Sequence, residues 1–262
     1  MMRVISFCAD GIRKAAKAGF YSWVLEQDAD VICIQNLRSR EDQLTHPVFY
    51  PEGYHAYFLD SAEGHNGVAI YCRELPKAVM TGLGMGADDA EARYIQADFE
   101  HLSIASVLPP AAASLHSEAF EKRMVFLEQL QANLDKVRNK RRNYIICGNF
   151  GIAHKNRDIE HPEGADELPG GSEEERLWLD QLVGPLEYLD AFRCANSDDD
   201  EFSWQREIGT HAGGWRTDLQ IISANLEPSV EYAMIYKKQS FSTHAPVIID
   251  YDTDVAPSLD RP

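Results

Sequence analysis

The sequence predicts a layered α/β fold, a four-layer α/β/β/α sandwich in which two mixed sheets pack face to face with helices outside. Three observations carry this expectation. Short apolar runs rich in β-branched residues recur along the chain, two longer segments carry apolar residues at helical spacing, and the two kinds of segment are interleaved.

The elements follow in order. Met2–Phe7 reads as a strand; Gly11–Gln27 places Ile12, Ala16, Phe20, Trp23 and Val24 on one helical face; Ala29–Gln35 is a second buried strand. From Tyr54 to Val107 the pattern is strand-like, with runs at Tyr54–Leu59, Val68–Cys72, Ala78–Met80, Arg93–Phe99 and Leu102–Val107 separated by Gly, Asp and Pro. Ser114–Val137 returns to helical period, with Ser114 as candidate N-cap. Asn143–Cys147 is a strand, Ser172–Leu182 a helix, and Thr217–Ser223, Val230–Tyr236 and Val247–Tyr251 are late strands. A single domain over residues 2–252 is expected, followed by a polar tail at 253–262.

Composition narrows the function classes. With 44% hydrophobic and 10% aromatic residues the 262-residue chain can bury a sizeable core, so disorder is not expected before the tail. Five scattered cysteines without a C-x-x-C pair point to reduced thiols, and no run of 18 apolar residues exists, so a soluble cytoplasmic protein without membrane contact is expected. A net charge of −17 argues against tight unaided binding to RNA or DNA, although a local basic patch is compatible with it.

Four segments at strand ends carry the chemistry: Ser6-Phe-Cys-Ala-Asp-Gly-Ile-Arg13, Cys33-Ile-Gln-Asn-Leu-Arg38, Cys147-Gly-Asn-Phe-Gly151 and Phe241-Ser-Thr-His-Ala-Pro246. Phe202-Ser-Trp204 and Arg216-Thr-Asp-Leu219 add two further blocks. Their order and spacing resemble the exonuclease III-like endonuclease/exonuclease/phosphatase family, whose signatures read S-x-N-x-N-G-x-R, L-Q-E-x-K, G-D-x-N, F-S-W, R-I-D-x and S-D-H-A-P. The resemblance implies a metal-dependent phosphodiesterase fold. Phosphodiester hydrolysis there uses a divalent ion on a carboxylate, a water oriented by an Asp, and a His on the phosphoryl oxygens.

Position by position, the resemblance also implies a dismantled site. The metal-binding Glu is Asn36, the Asp of G-D-x-N is Asn149, and its partner Asn is Gly151. The first Asn of the N-terminal block is Cys8 and the second Asp10; the family Tyr is Val107; the Asp expected to pair with the catalytic His is Thr243. Asp218, His244 and Trp204 survive. An amide carries no net charge, so Asn36 and Asn149 are poor substitutes for anions that hold an ion or polarise water. The expectation is therefore no bound metal or other cofactor and no catalysis.

Longer stretches, among them Gly67–Tyr71, Arg93–Phe99, Arg176–Asp180 and Phe241–Asp252, resemble the catabolite repression control branch of the family, which has the nuclease fold without a working site. That resemblance implies a translational co-repressor acting with the RNA chaperone Hfq on A-rich mRNA. The cations Lys136, Arg138, Lys140, Arg141 and Arg142 are then a phosphate-contacting patch, extended by Lys77 and Arg93 and by Arg193, Arg206 and Arg216; the plainer reading is an exposed helix C-terminus. Asp10 is expected as a helix N-cap, Trp204 as a core aromatic, and Cys8 as a small buried hydrophobe. The alternative is an active Mg-dependent exonuclease III-like phosphodiesterase or abasic-site endonuclease with a rearranged site around Asp10, Asp218 and His244.

Overall fold

A computed structural model describes residues 1–140, 142–206 and 213–254; of Ala87, Asp88 and Arg206 only the backbone is described. Arg141 and most of the expected tail, 255–262, lie outside the described residues. In chain order the strands and helices are β1 (Met2–Cys8), α1 (Ile12–Lys17), α2 (Phe20–Glu26), β2 (Val31–Gln35), β3 (His55–Leu59), β4 (Val68–Cys72), β5 (Ala78–Thr81), β6 (Tyr94–Asp98), β7 (Leu102–Val107) and α3 (Glu118–Val137). They continue as β8 (Asn143–Asn149), α4 (Glu173–Val183), β9 (Tyr188–Asp190), α5 (Ala191–Ala195), β10 (Trp204–Arg206), β11 (Gly213–Trp215), β12 (Asp218–Ser223), β13 (Val230–Ile235) and β14 (Val247–Tyr251).

Two six-stranded mixed sheets form the body, in the orders β13-β14-β1-β2-β4-β3 and β5-β6-β7-β8-β12-β9; β10 and β11 make a separate ribbon. The layering follows from strands buried on both faces. Val4, Cys33, Ile70, Ile104, Ile145 and Ile249 face the seam between the sheets. Ile5, Phe7, Ile32 and Ile34 face outward under Phe20 and Trp23 of α2, while Ile146, Leu219 and Ile221 pack under Leu127 and Leu130 of α3 and Trp178 and Leu182 of α4. The four-layer expectation holds.

Buried amides tie the seam together. Gln35 Nε2 donates to Ser106 Oγ at 3.0 Å, joining β2 to β7 across the sheets. Gln220 Nε2 donates to the Val4 and Val247 carbonyls at 3.2 and 3.3 Å, and Tyr251 Oη donates back to Gln220 Oε1 at 3.0 Å. Satisfied polar bridges of this kind fix register where apolar contact alone would permit sliding.

Three local expectations change. The helix over 11–27 is two helices, because Gly19 takes a left-handed φ of +92° and Gln239 Nε2 donates to the Ala18 carbonyl at 2.9 Å in the break. The N-cap of α3 is Ser117, whose Oγ accepts from Phe120 N at 3.1 Å and donates to the Ser114 carbonyl at 2.7 Å. Asp10 caps nothing: Gly11 stands at the cap of α1, without a side-chain cap bond.

Candidate active site

Each candidate group is delivered by a strand end. β1 ends at Cys8 beside β2, which ends at Gln35 before Asn36, and β8 ends at Asn149 opposite Asp218, the first residue of β12. His244 precedes β14, and its loop is fastened to β1: Ser242 Oγ donates to the Cys8 carbonyl at 2.7 Å and accepts from His244 N at 3.0 Å. The β10 end adds Trp204, whose ring stacks on His244 at 5.8 Å and 16°. Trp204 is half-buried, packed on one side against the small cluster around Trp215 and on the other against His244, so the expectation of a core aromatic holds in part.

The centre is a carboxylate–imidazole pair. Asp218 Oδ2 accepts from His244 Nδ1 at 2.8 Å and from Ser203 Oγ at 2.7 Å, while Ser203 Oγ also accepts from the Asp218 amide at 3.1 Å. Asp218 is only 1% exposed, and its Oδ1 has no hydrogen-bond partner among the described residues. Burial by itself would lower the His244 pKa, but Asp218 and then Cys8 outweigh it and hold the ring well above the ordinary histidine value. Asn149 Nδ2 lies 3.2 Å from both ring nitrogens. A protonated ring has no acceptor, so the amide turned to present Oδ1 is the arrangement that suits the charged form.

The supposed loss of the histidine's carboxylate partner is thus corrected. The partner is Asp218, placed by the Asp218–Asn149 register, whereas Thr243 is exposed. Cys8 is buried as expected, yet its sulfur stands with the Asp218 and His244 ligand atoms, all within 4.8 Å of one another.

Asp10 and Asn36 form a neighbouring set. Arg38 Nη2 meets Asp10 Oδ1 at 2.6 Å, Asn36 Nδ2 donates to the same oxygen at 3.2 Å, and Arg38 Nε donates to Asn36 Oδ1 at 3.3 Å. A hard divalent ion needs anionic oxygens and open positions. Here one carboxylate remains, a guanidinium neutralises it, and the amide oxygen accepts from Arg38. These residues do not fit the divalent ion that the family resemblance implies.

Other candidates lie outside the centre. Val107 is fully buried in β7, opposite Gly148 in β8. Gly151 turns at φ +64° with its amide on the Thr217 carbonyl at 3.3 Å. Lys136 and Lys140 are exposed near the C-terminal end of α3, Arg138 is tied to Asp135 at 2.8 Å, and Arg142 reaches the Phe99 carbonyl at 2.8 Å. Because β8 runs from Asn143 to Asn149, that cluster stands at the opposite end of the strand from the site, about 20 Å away. Lys77, paired with Glu100, shares the far corner, whereas Arg93, on Glu91 at 2.6 Å, lies at the site end of its sheet. The proposed cations therefore do not make one patch around the site, and Arg193 and Arg216 are spoken for by Asp158 at 2.7 and 2.8 Å.

Residues 9–240 match the Endonuclease/Exonuclease/phosphatase family. The chain belongs to that family. It is 29% identical to an exodeoxyribonuclease of Bacillus subtilis over 257 residues, covering 94% of this chain and 98% of that protein. It is 28% identical to the DNA repair nuclease APEX1 of Danio rerio, covering 95% of this chain and 81% of that protein. Its fold superposes on an AP endonuclease from Archaeoglobus fulgidus with a TM-score of 0.87 at 22% identity, covering 97% of this chain and all of that one. These relatives overturn the expectation of a non-enzymatic translational regulator: proteins matched nearly end to end are named as nucleases. Among the described residues, no helix is long and apolar enough to cross a membrane.

Proposed function

We propose that this protein is a phosphodiesterase of the exonuclease III and abasic-site endonuclease kind, acting on DNA. The observation that supports the reading best is the Asp218–His244 pair at 2.8 Å, held at the strand ends of a family fold. An imidazolium kept charged by a buried carboxylate is a preorganised cation, able to donate to a non-bridging phosphoryl oxygen as negative charge builds in the transition state. Asn149 offers an amide for a second bond to the same group, and Trp204 gives the rim an aromatic face on which an unpaired base can stack. Asp10 Oδ1 is engaged by Arg38 and Asn36, leaving Oδ2 as the carboxylate oxygen that could orient a water.

The net charge of −17 repels a long polyanion, so affinity must rest on few local contacts and turnover is expected to be modest. Incubation with an abasic-site duplex and with a recessed 3′ end, in Mg²⁺ or Mn²⁺, tests the reading. Cleavage of either substrate, lost in Asp218→Ala, supports it; intact substrates under every condition contradict it.

A further inference from the structure

The residues around Asp10 do not suit a hard ion, but those around His244 suit a softer one. We propose that Cys8, Asp218 and His244 form a binding site for a thiophilic divalent cation of the zinc class. Three ligand types that zinc accepts, a thiolate sulfur, an imidazole nitrogen and a carboxylate oxygen, converge within 4.8 Å. Ligand atoms around a tetrahedral zinc are about 3–4 Å apart, so small side-chain rotations close the set.

A second observation points to a ligand independently. Asp218 is 1% exposed and its Oδ2 is bonded to Ser203 and His244, yet Oδ1 is buried without a hydrogen-bond partner. An unpaired buried carboxylate oxygen is costly, and an ion satisfies it. The Ser203 bond would fix the carboxylate from behind, as outer partners of metal ligands do. His244, with its side chain 11% exposed, provides the side open to solvent, so a fourth position can hold water. Ligation requires the thiolate and a free ring nitrogen, so the thiol proton and a ring proton leave to solvent. The zinc-loaded form then lacks the charged ring that the phosphodiesterase reading uses: the ion at this site would inhibit cleavage, not support it.

Sulfur in the set makes the site readable without any assay of turnover. Co²⁺ added to the reduced full-length chain is expected to give, at one equivalent, a sulfur-to-cobalt charge-transfer band that Zn²⁺ abolishes. The band should be absent in Cys8→Ser and in Cys8→Asn, and retained in Cys194→Ser, which changes the one exposed cysteine. Circular dichroism confirms folding, and a Zn²⁺-induced rise in Tm seen in the wild type and lost in Cys8→Ser supplies a second reading. No band in the folded wild type, or a band undiminished in Cys8→Ser, overturns the site, and either result leaves the phosphodiesterase reading standing.

Discussion

Asp218, the first residue of β12, and His244, in the loop before β14 and 26 residues further along the chain, meet through an Oδ2–Nδ1 hydrogen bond of 2.8 Å. The bond keeps the ring charged, and the sign of its effect on stability follows. Because the folded pKa of His244 is raised, the contribution is fully present below the ordinary histidine value of about 6.5 and is lost as pH rises through the raised folded value. Asp218→Asn should lower the His244 pKa and remove that alkaline loss. A histidine Cε1–H NMR titration with parallel denaturation curves checks it, and an unmoved titration curve counts against the pairing.

Asp158 is expected to be the acid-sensitive anchor of the segment that carries Asp218. Burial would raise its pKa, but Arg216 and then Arg193 bring it down to about 2. A depressed carboxylate contributes stability above its unfolded value of about 3.9 and loses it as pH falls toward 2. Asp158→Asn leaves Arg216, 1% exposed, short of one buried anion and should cost about 3–5 kcal/mol. Urea unfolding at pH 7 and pH 3 should show a smaller pH difference in the variant.

Arg123 and Glu175 hold the loop after β8. The pair meets at 2.6 Å with both side chains buried, Arg123 Nη2 donates to the Phe150 carbonyl at 2.6 Å, and Glu175 Oε2 accepts from Gly170 N at 2.6 Å. Glu175→Gln should lower stability by about 3 kcal/mol or more, because the guanidinium keeps its burial and loses its counter-charge. Equilibrium denaturation measures this, and a change below about 1 kcal/mol would show that the pair is not a principal support.

How much of this was legible in the sequence differs between fold and site. The sheets were readable because their strands are continuous apolar runs bounded by turn residues, and the motif blocks located every strand end that lines the centre. β9, β10 and β11, three residues each, are too short to show a period. The partner of His244 was misassigned to Thr243, its sequence neighbour, because pairing of β12 with β8, which places Asp218, is a long-range register that no local pattern announces. Ser203, Ser242 and Arg38 went unmarked for the same reason: each acts through a contact made only on folding. The available signal was that all three stand inside the motif blocks, in Cys33–Arg38, Phe202–Trp204 and Phe241–Pro246.

Restoring carboxylates should restore metal response. Asn36→Glu together with Asn149→Asp places anions beside Asp10 and His244, and is expected to raise Mg²⁺-dependent cleavage about tenfold or more. Initial rates over a Mg²⁺ titration check it; a double variant no faster than the wild type would mean that Arg38, not the missing charge, excludes the ion.

The basic end of α3 should be dispensable for chemistry. Lys136→Glu with Lys140→Glu is expected to leave kcat unchanged within about twofold, since both side chains stand about 20 Å along β8 from Asn149. Steady-state kinetics on a short abasic duplex checks this, and a kcat loss of tenfold would tie that end of the molecule to the site.

The most direct measurement is single-turnover nicking of an abasic-site duplex by the wild type and by His244→Ala, with enzyme in excess. The account predicts measurable nicking by the wild type and a loss of about 10²–10³-fold in the variant, the cost expected for removing a preorganised donor to the phosphoryl oxygens. A wild type that leaves the duplex intact with both Mg²⁺ and Mn²⁺, or a variant that nicks at the wild-type rate, would contradict it.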